Sequence, residues 1–381
     1  MRELEGLRTL SEIAATIRVN DEEALDLFAD LLEMEIEEDY RLASVFRIRL
    51  AMQRSEDGFW TYLDDERAQL WNKVAVAVAL DGEEQDLITG YVTQVRPHHA
   101  AEEEQSYVEI IGMDATCLMS LEEKIKDWPG KSDSDIAREI FDLYDLKCEP
   151  DDTGPAPSET DVTVIQRETD IQFLRRLARR NGFECFVKGD TGNFGKPDFT
   201  EPPLPVLAAH FGDETNLISF DARSDALRPV HVTMHRLDPL AKELQEAVVE
   251  ATEQKQLGLK GALALAPPGG VASRMFVKQT VASSLAEMQN LSRALLEEST
   301  WFVEGRGEVD SSLYGAVLEA RRLVPVKGVG EAFSGVYYVT NVRHLFRDDR
   351  YTQQFSARRN ALAPSGPDDF AAGDSLFGGL L

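Results

Sequence analysis

Cysteine is scarce in this chain: there are three in 381 residues, Cys117, Cys148 and Cys185. Odd in number and widely spaced, they support neither a disulfide framework nor a metal cage, so buried free thiols in a reducing compartment are expected. Histidine is nearly as sparse, with six residues. His231 and His235 would align on a helix, but VHVTMHR alternates as a strand, where the two rings lie ~13 Å apart and cannot share an ion. His98 and His99 fall at a turn, and His210 and His344 are solitary, so no metal and no cofactor is expected. No apolar run approaches the ~20 residues of a membrane span. The N-terminal MRELEGLRTLSEI is charged and lacks a signal region, so no membrane insertion is expected and the chain reads as cytoplasmic. Cations are outnumbered, 40 Lys and Arg against 68 Asp and Glu, for a net charge of −28. Phosphate binding needs clustered cations, so stable nucleic-acid binding is disfavoured. The same charge serves solubility or a surface that repels polyanions.

Catalytic signatures are missing too. There is no Gly-x-Ser-x-Gly elbow. Gly328, Gly330 and Gly335 (KGVGEAFSG) lack the Lys-Ser/Thr ending of a phosphate loop and the dinucleotide spacing, and they lie between strands as turn glycines. Carboxylates are so abundant that no acid–base pair stands out, and runs such as Glu102 to Glu104 read as solvated loops. The chain is expected to have no enzymatic activity.

What the chain does have is a repeat. Tyr91 to Arg96 reads YVTQVR and Tyr338 to Arg343 reads YVTNVR. Each follows an apolar run and a glycine-containing turn, VAVAVALDGEE before the first and RRLVPVKGVGE before the second. Period-two alternation then gives strand, turn, strand in both places, which points to a duplicated β-module.

Before the first copy, Arg2 to Ile13 suggest a polar helix. Thr16 to Val19, Leu31 to Glu37, Ala43 to Met52, Lys73 to Leu80 and Tyr107 to Met113 read as strands, with DLFADLL open between helix and loop. Turn-punctuated strands of this kind suggest an antiparallel barrel or sandwich. Leu118 to Lys126 and Ser134 to Tyr144 read as helices, the latter capped by Ser132 or Asp133. A polar loop, EPDDTGPAPSETD, precedes the best-formed local unit, Val162 to Val187. There a strand to Gln166 leads into a helix capped by Thr169 or Asp170, with Ile171, Leu174, Leu177 and Ala178 as its apolar stripe. Glu168 and Asp170 stand at its positive end and Arg175, Arg176, Arg179 and Arg180 at its negative end. Asn181-Gly182 stops it, and Phe183 to Val187 returns as a strand. The arginines complement the helix end or an acidic neighbour better than they suit nucleic acid. Short strands at Leu217 to Phe220 and Pro229 to His235 follow. Lys242 to Lys255 reads as a helix, Gly258 to Ser273 as a flexible linker, and Ser283 to Thr300 as a helix. Trp301 to about Ala361 forms the second module, closed by a hairpin turning at Arg347 to Arg350.

IQRETDIQFLRRLARRNGFECFV resembles the signature of the phage late control gene D family, which includes the hub portion of VgrG spike proteins. Gln166, Glu168, Thr169, Asp170, Phe173, Leu174, Arg176, Leu177, Gly182 and Phe183 carry that likeness. FSGVYYVTNVRHLFRDDRYTQQFSARRN is similar to the family's closing hairpin through Gly335, Tyr338, Val339, His344, Tyr351, Thr352, Phe355, Arg358 and Arg359. VTMHRLDPLAKE is a weaker echo.

The resemblance implies a fold like that of the T4 baseplate hub. This is an α+β, β-rich chain with two tail-tube-like antiparallel β-barrel domains and an α/β domain between them. The first barrel spans 14–117, completed by 205–240; the α/β domain covers 118–204; helices and linker cover 241–300; the second barrel covers 301–362; and 363–381 is a flexible tail that orders only against a partner. It also implies a structural homotrimer in the baseplate of a contractile injection system or phage tail, assembled in the cytoplasm. Its partners would be a separate spike protein, the inner tube or its initiator, and other baseplate proteins. Six like modules around one pore suggest an acidic lining, with the Arg175 to Arg180 cluster facing away. The rival readings are a baseplate-associated cell-wall hydrolase, marked by a cleft holding an acid of raised pKa, and an effector-loading adaptor.

Overall fold

The computed structural model describes residues 14–365 apart from 81–82, 157–162, 229, 239–241, 266, 270–272, 279–283 and 349. The expected helix at Arg2 to Ile13 and most of the tail lie outside these residues.

Six strands build the first module: β1 (Ala14–Val19), β2 (Leu31–Asp39), β3 (Val45–Ala51), β4 (Lys73–Leu80), β5 (Glu83–His98) and β6 (Tyr107–Asp114). Their alternation sorts the two faces. In β3, Phe46, Ile48 and Leu50 are buried while Arg47 and Arg49 point away. These side chains join Ile17, Met34, Ile36, Val76, Val92 and Val108 in one core. DLFADLL forms only a single 3-10 turn, Leu25–Ala29.

The α/β domain follows as β7 (Glu123–Trp128), α1 (Asp133–Asp142), β8 (Val164–Thr169), α2 (Asp170–Asn181), β9 (Glu184–Lys188) and β10 (Thr191–Gly195). Leu118 to Lys126 is therefore not a helix. A 3-10 turn, Ala115–Ser120, leads into β7, which pairs antiparallel with β8. EKIKDW places Lys124, Lys126 and Trp128 on one strand face, and pairing with β8 overrides the helix-forming lysines. Ser132 caps α1, its Oγ accepting from the Asp135 N–H at 3.1 Å. Thr169 holds the N-cap position of α2 without a side-chain cap bond, and Gly182 ends the helix in the left-handed region at φ 70°.

Next come β11 (Leu207–Ala208) and β12 (Leu217–Ser224). A small sheet of β13 (His231–Leu237), β14 (Leu244–Val249) and β15 (Arg274–Val277) packs on α3 (Leu285–Thr300). The helix expected over Lys242 to Lys255 is thus a strand. Asp238 and Glu243 close a hairpin, and LQEAVV alternates against β13. Gly258 to Leu265 is also more than a linker. Lys260–Gly261 pairs with Ala361–Leu362, and Ala262 is buried in the second core.

The second module is completed by β16 (Val303–Asp310), β17 (Leu323–Lys327), β18 (Gly335–Arg347) and β19 (Arg350–Arg359). Residues 205–240 do not complete the first barrel: β11 pairs with β17 and β12 with β16, while β13 joins the small sheet.

Both modules lie in one thirteen-stranded sheet. The first runs β2-β3-β6-β5-β4-β1 and the second β12-β16-β19-β18-β17-β11, the same order position by position. The bulges match as well. The β5–β6 ladder slips between Val92 and Gln94, and the β18–β19 ladder between Val339 and Asn341. In each case the bulged residue is the repeat's threonine, whose hydroxyl donates to a carbonyl of the partner strand: Thr93 to Ile111 at 3.3 Å, Thr340 to Ser356 at 3.0 Å. Slips also match between Leu31 and Glu33 in β2 and between Leu217 and Ser219 in β12. One difference stands out. β1 runs antiparallel to β4, whereas β11 runs parallel to β17.

Gly335 opens β18 at φ 132°, and a Cβ there would sit 2.3 Å from Nη2 of Arg359. Arg359 is fully buried and donates to the carbonyls of Leu257 (2.6 Å), Ser334 (2.7 Å) and Ala363 (2.8 Å). Gly335→Ala should therefore lower unfolding stability by roughly 2–4 kcal/mol, through both backbone strain and displacement of a buried cation. A wild-type urea midpoint for this variant would show that the Arg359 site yields freely.

Candidate functional site

The residues that carry the α/β signature converge on one carboxylate. Gln166 is fully buried in β8 and takes the Trp128 indole N–H at 3.2 Å. Its amide donates to Oδ1 of Asp170 at 2.6 Å and to the Glu168 carbonyl at 3.2 Å. The other oxygen of Asp170 accepts from the Tyr144 hydroxyl at 2.7 Å and from Lys124. Burial pushes the Asp170 carboxyl up, but the bonds from Lys124, Gln166 and Tyr144 outweigh it and hold the group below the usual range. Glu168 reaches outward to Arg176 at 2.7 Å. Phe173, Leu174 and Leu177 fill the domain core beneath. Sequence spacing brought these residues out as a helix start; the structure makes them a lock between β7, β8 and α2.

The closing hairpin holds a second polar core. His344 is fully buried, with Nδ1 2.8 Å from the Tyr351 hydroxyl and Nε2 lacking a hydrogen-bond partner. Burial lowers its pKa to about 3, so the ring is neutral. Tyr351 stacks on Phe346, Phe355 stacks on Phe220, and Thr352 pairs across to Leu345. Tyr338 donates to Oε2 of Glu184 at 2.8 Å, tying β18 to β9. Arg358 lies over the rings of Tyr40 and Trp301 and pairs with Glu298 of α3 at 3.1 Å.

Glu184 was not singled out in the sequence. Its only signal is a carboxylate beside Cys185, Phe186 and Val187 in the strand ECFVK. It borders a cleft with Glu149, Asp151, Lys188, Glu319 and Arg321. Burial raises its pKa, opposed by the Tyr338 hydrogen bond and by Arg358, Arg321 and Arg41. Its Oε1 is buried without a hydrogen-bond partner. A second cleft lies between Gly182, Lys196, Phe199, Arg293 and Glu297.

Other candidates resolve into local contacts. His231 and His235 sit on β13 beside Glu250 (3.0 Å) and Glu246 (3.2 Å). Among the described residues no cluster of His, Cys, Asp or Glu could hold a metal ion, and no helix is long and apolar enough to cross a membrane. The cysteines are free, and burial raises the thiols of Cys117 and Cys148 to about 11 and that of Cys185 to about 12. In the arginine cluster, Arg176 pairs with Glu168, and Arg180 pairs with Asp133 and Glu287. Acidic neighbours therefore claim these two cations.

Across the junction of the modules, the sheet face opposite the core is a lattice of paired charges. Glu35 binds Arg343 and Arg47, Glu33 lies near Arg49 and Arg347, and Glu109 binds Arg49, Arg47 and Arg96. Five arginines share three carboxylates here. This face does not carry the acidic surplus of the whole chain.

This architecture is the β-rich α+β fold of phage tail proteins. The tail protein of Neisseria meningitidis MC58 superposes with a TM-score of 0.68 at 16% identity, covering 93% of this chain and 99% of that one. The 43 kDa tail protein of prophage MuSo2 from Shewanella oneidensis gives 0.67 at 14%, covering 92% and 99%. An Escherichia coli component of the type VI secretion system, itself similar to T4 tail proteins, gives 0.53 at 13%, covering 94% and 78%. At these identities the likeness establishes the fold. The chain belongs to the Alg8 N-terminal domain family, whose profile matches residues 13–348. No curated protein matches it.

His344 and Asp170 lose their contributions over different ranges as the pH falls. A histidine whose pKa falls from 6.5 to about 3 on folding leaves stability intact above pH 6.5 and erodes it as the pH drops toward 3. The slope is about 1.4 kcal/mol per pH unit. His344→Gln should flatten that slope; an unchanged slope would place the acid sensitivity elsewhere. Asp170, with its lowered pKa, keeps its contribution above the unfolded carboxylate range and loses it only as pH falls through its folded value. Asp170→Ala should cost roughly 2–3 kcal/mol at neutral pH, since Gln166 and Lys124 lose their acceptor. A loss under ~0.5 kcal/mol by urea titration would mean that water replaces the carboxylate.

Proposed function

We propose that this chain is a structural hub of a contractile phage tail or injection-system baseplate, akin to the late control gene D and VgrG hub group, and that it works as a homotrimer without enzymatic activity. One observation carries the reading: a single chain holds two copies of one six-strand module, matched in strand order and bulges and fused into a continuous sheet. Three such chains present six like modules, which lets a three-fold spike seat on a six-fold inner tube without a further adaptor. The tail proteins that share the fold support the setting. The spike, the inner tube or its initiator, and other baseplate proteins are the implied partners. In such a ring the paired lattice around Glu35 and Arg343 is the natural pore lining. Such a lining would carry more arginines than carboxylates, unlike the acidic lining expected from net charge.

The purified protein should have a trimer's mass by light scattering, with three-fold class averages in electron micrographs. A monomer at every concentration, indifferent to added spike, would sink the reading. The cell-wall hydrolase is the second reading, and Glu184 is the observation that favours it: a buried acid of raised pKa beside a cleft. On the hub reading Glu184 is an anchor for Tyr338. Neither wild type nor Glu184→Gln should release soluble fragments from purified peptidoglycan, and Glu184→Gln should weaken the fold. Release by wild type that vanishes in Glu184→Gln would make the protein a hydrolase.

A further inference from the structure

β18 and β5 are counterparts, yet only one of them is fully paired. On the side away from β19, Tyr338 and the residues before it pair with β17, while Asn341 to Arg347 pair with Asp39 to Glu33 of β2. On the side of β5 away from β6, residues 83–91 pair with β4, and residues 93–98 have no strand partner among the described residues. β2 likewise has its counterpart in β12, which ends the sheet and, among the described residues, pairs with β16 alone. The chain therefore carries one filled module junction and the two unfilled halves of a second. At a spacing of ~4.8 Å per strand, seven steps separate those halves along the sheet, so one chain does not close on itself.

We propose that the open side of β5 takes β12 of a second copy of this chain, in the antiparallel register that β18 and β2 already show. This rests on the hub reading only for the number of copies. Transferring the register sets Gln94 opposite Asp225, Val95 opposite Ser224 and His98 opposite Asp221 of the second copy. Charge follows the template: Arg343 binds Glu35 across the filled junction, and their counterparts are Arg96 and Asp221, both exposed. Arg96 and Arg223 come directly opposite one another, each with a carboxylate already on its inner side, Glu109 at 3.6 Å and Glu304 at 2.6 Å. Pro97 replaces His344 of the template. A proline inside a ladder turns its nitrogen to the open side, so the new junction has one donor fewer and is weaker than the internal one. Because β5 and β12 are different surfaces, the contact is head-to-tail. It generates a ring if the rotation closes and a filament if it does not.

Cysteine cross-linking tests this on the full chain. Gln94→Cys and Asp225→Cys chains, mixed and oxidised, should yield a covalent dimer that neither variant forms alone and that wild type, with its native thiols, does not form. Gln94→Cys mixed with Ser219→Cys, out of register, should give several-fold less. Asp221→Arg should reduce the dimer several-fold, and adding Arg96→Glu to the partner chain should restore it. The double variant Gln94→Cys/Asp225→Cys should give a covalent ladder that stops at three. A ladder that continues past three supports the edge pairing and overturns the trimeric hub. No dimer from a protein that is trimeric by light scattering overturns the edge pairing and leaves the hub. In that case Pro97 acts as a guard on an edge that stays single. No dimer from a monomeric protein overturns both.

Discussion

β18 hydrogen-bonds to β19 from Tyr338 to Arg347, and on its other side it serves two strands in turn, first β17 of its own module and then β2 of the other. The change of partner falls at Thr340, the bulged residue. A bulge sharpens the local bend and twist of a strand, so it lets one edge leave the β17 plane and enter another. The Thr340 carbonyl takes the Tyr40 N–H at 2.9 Å, which closes the far end of the junction. Arg321 adds a bond to the Asp39 carbonyl at 2.7 Å, and buried Glu38 accepts from the Ala320 N–H at 3.2 Å. Backbone ladder, buried acid and charged lattice all fix the same register. A slip of one residue would turn Met34 and Ile36 outward and bury Glu33 and Glu37.

The remaining domains hang from that strand and its hairpin partner. Tyr338 bonds to Glu184 of β9, so the α/β domain meets the second module through a buried hydroxyl–carboxyl contact. Arg358, on β19, holds Glu298 of α3, which Arg41 also reaches from the first module. Three units thus share one cluster of aromatic rings and guanidinium groups. Removing a partner there leaves a buried charge uncompensated, which costs more than the pair itself contributes. This explains why the family-like residues of the hairpin are interior groups rather than surface ones: they fix how the units meet.

Much of this was legible in the sequence because the repeat kept its bulge chemistry. Tyrosine, valine and threonine recur because the same bulge is made twice, at Thr93 and Thr340. The α2 unit was legible because its cap, stripe and stop are local. Residues 118–126 and 242–255 were misread because half-exposed edge strands rich in Lys, Glu and Leu look like helices until a partner strand is known. Residues 205–240 were given to the wrong module for a related reason. β11 and β12 are short, and nothing local says that β17 and β16, on the far side of α3, will receive them. Glu184 was invisible because its role depends on Tyr338, distant in sequence.

The net charge of −28 invited a repulsive surface, and the lattice shows another way to make an inert one. Across the modules' junction every cation of the lattice is an arginine, and each carboxylate touches one or more of them. Guanidinium groups fork between carboxylates on neighbouring strands, which a lysine's single ammonium does less well. Exposed pairs of this kind add little stability singly, but a network holds side chains in one geometry. A polyanion passing such a face meets alternating signs a few ångströms apart, whose fields cancel within about a Debye length of 8 Å. A fixed acidic lining would repel DNA but hold cationic protein; a paired lining holds neither. The acidic surplus of the chain then lies outside this lattice.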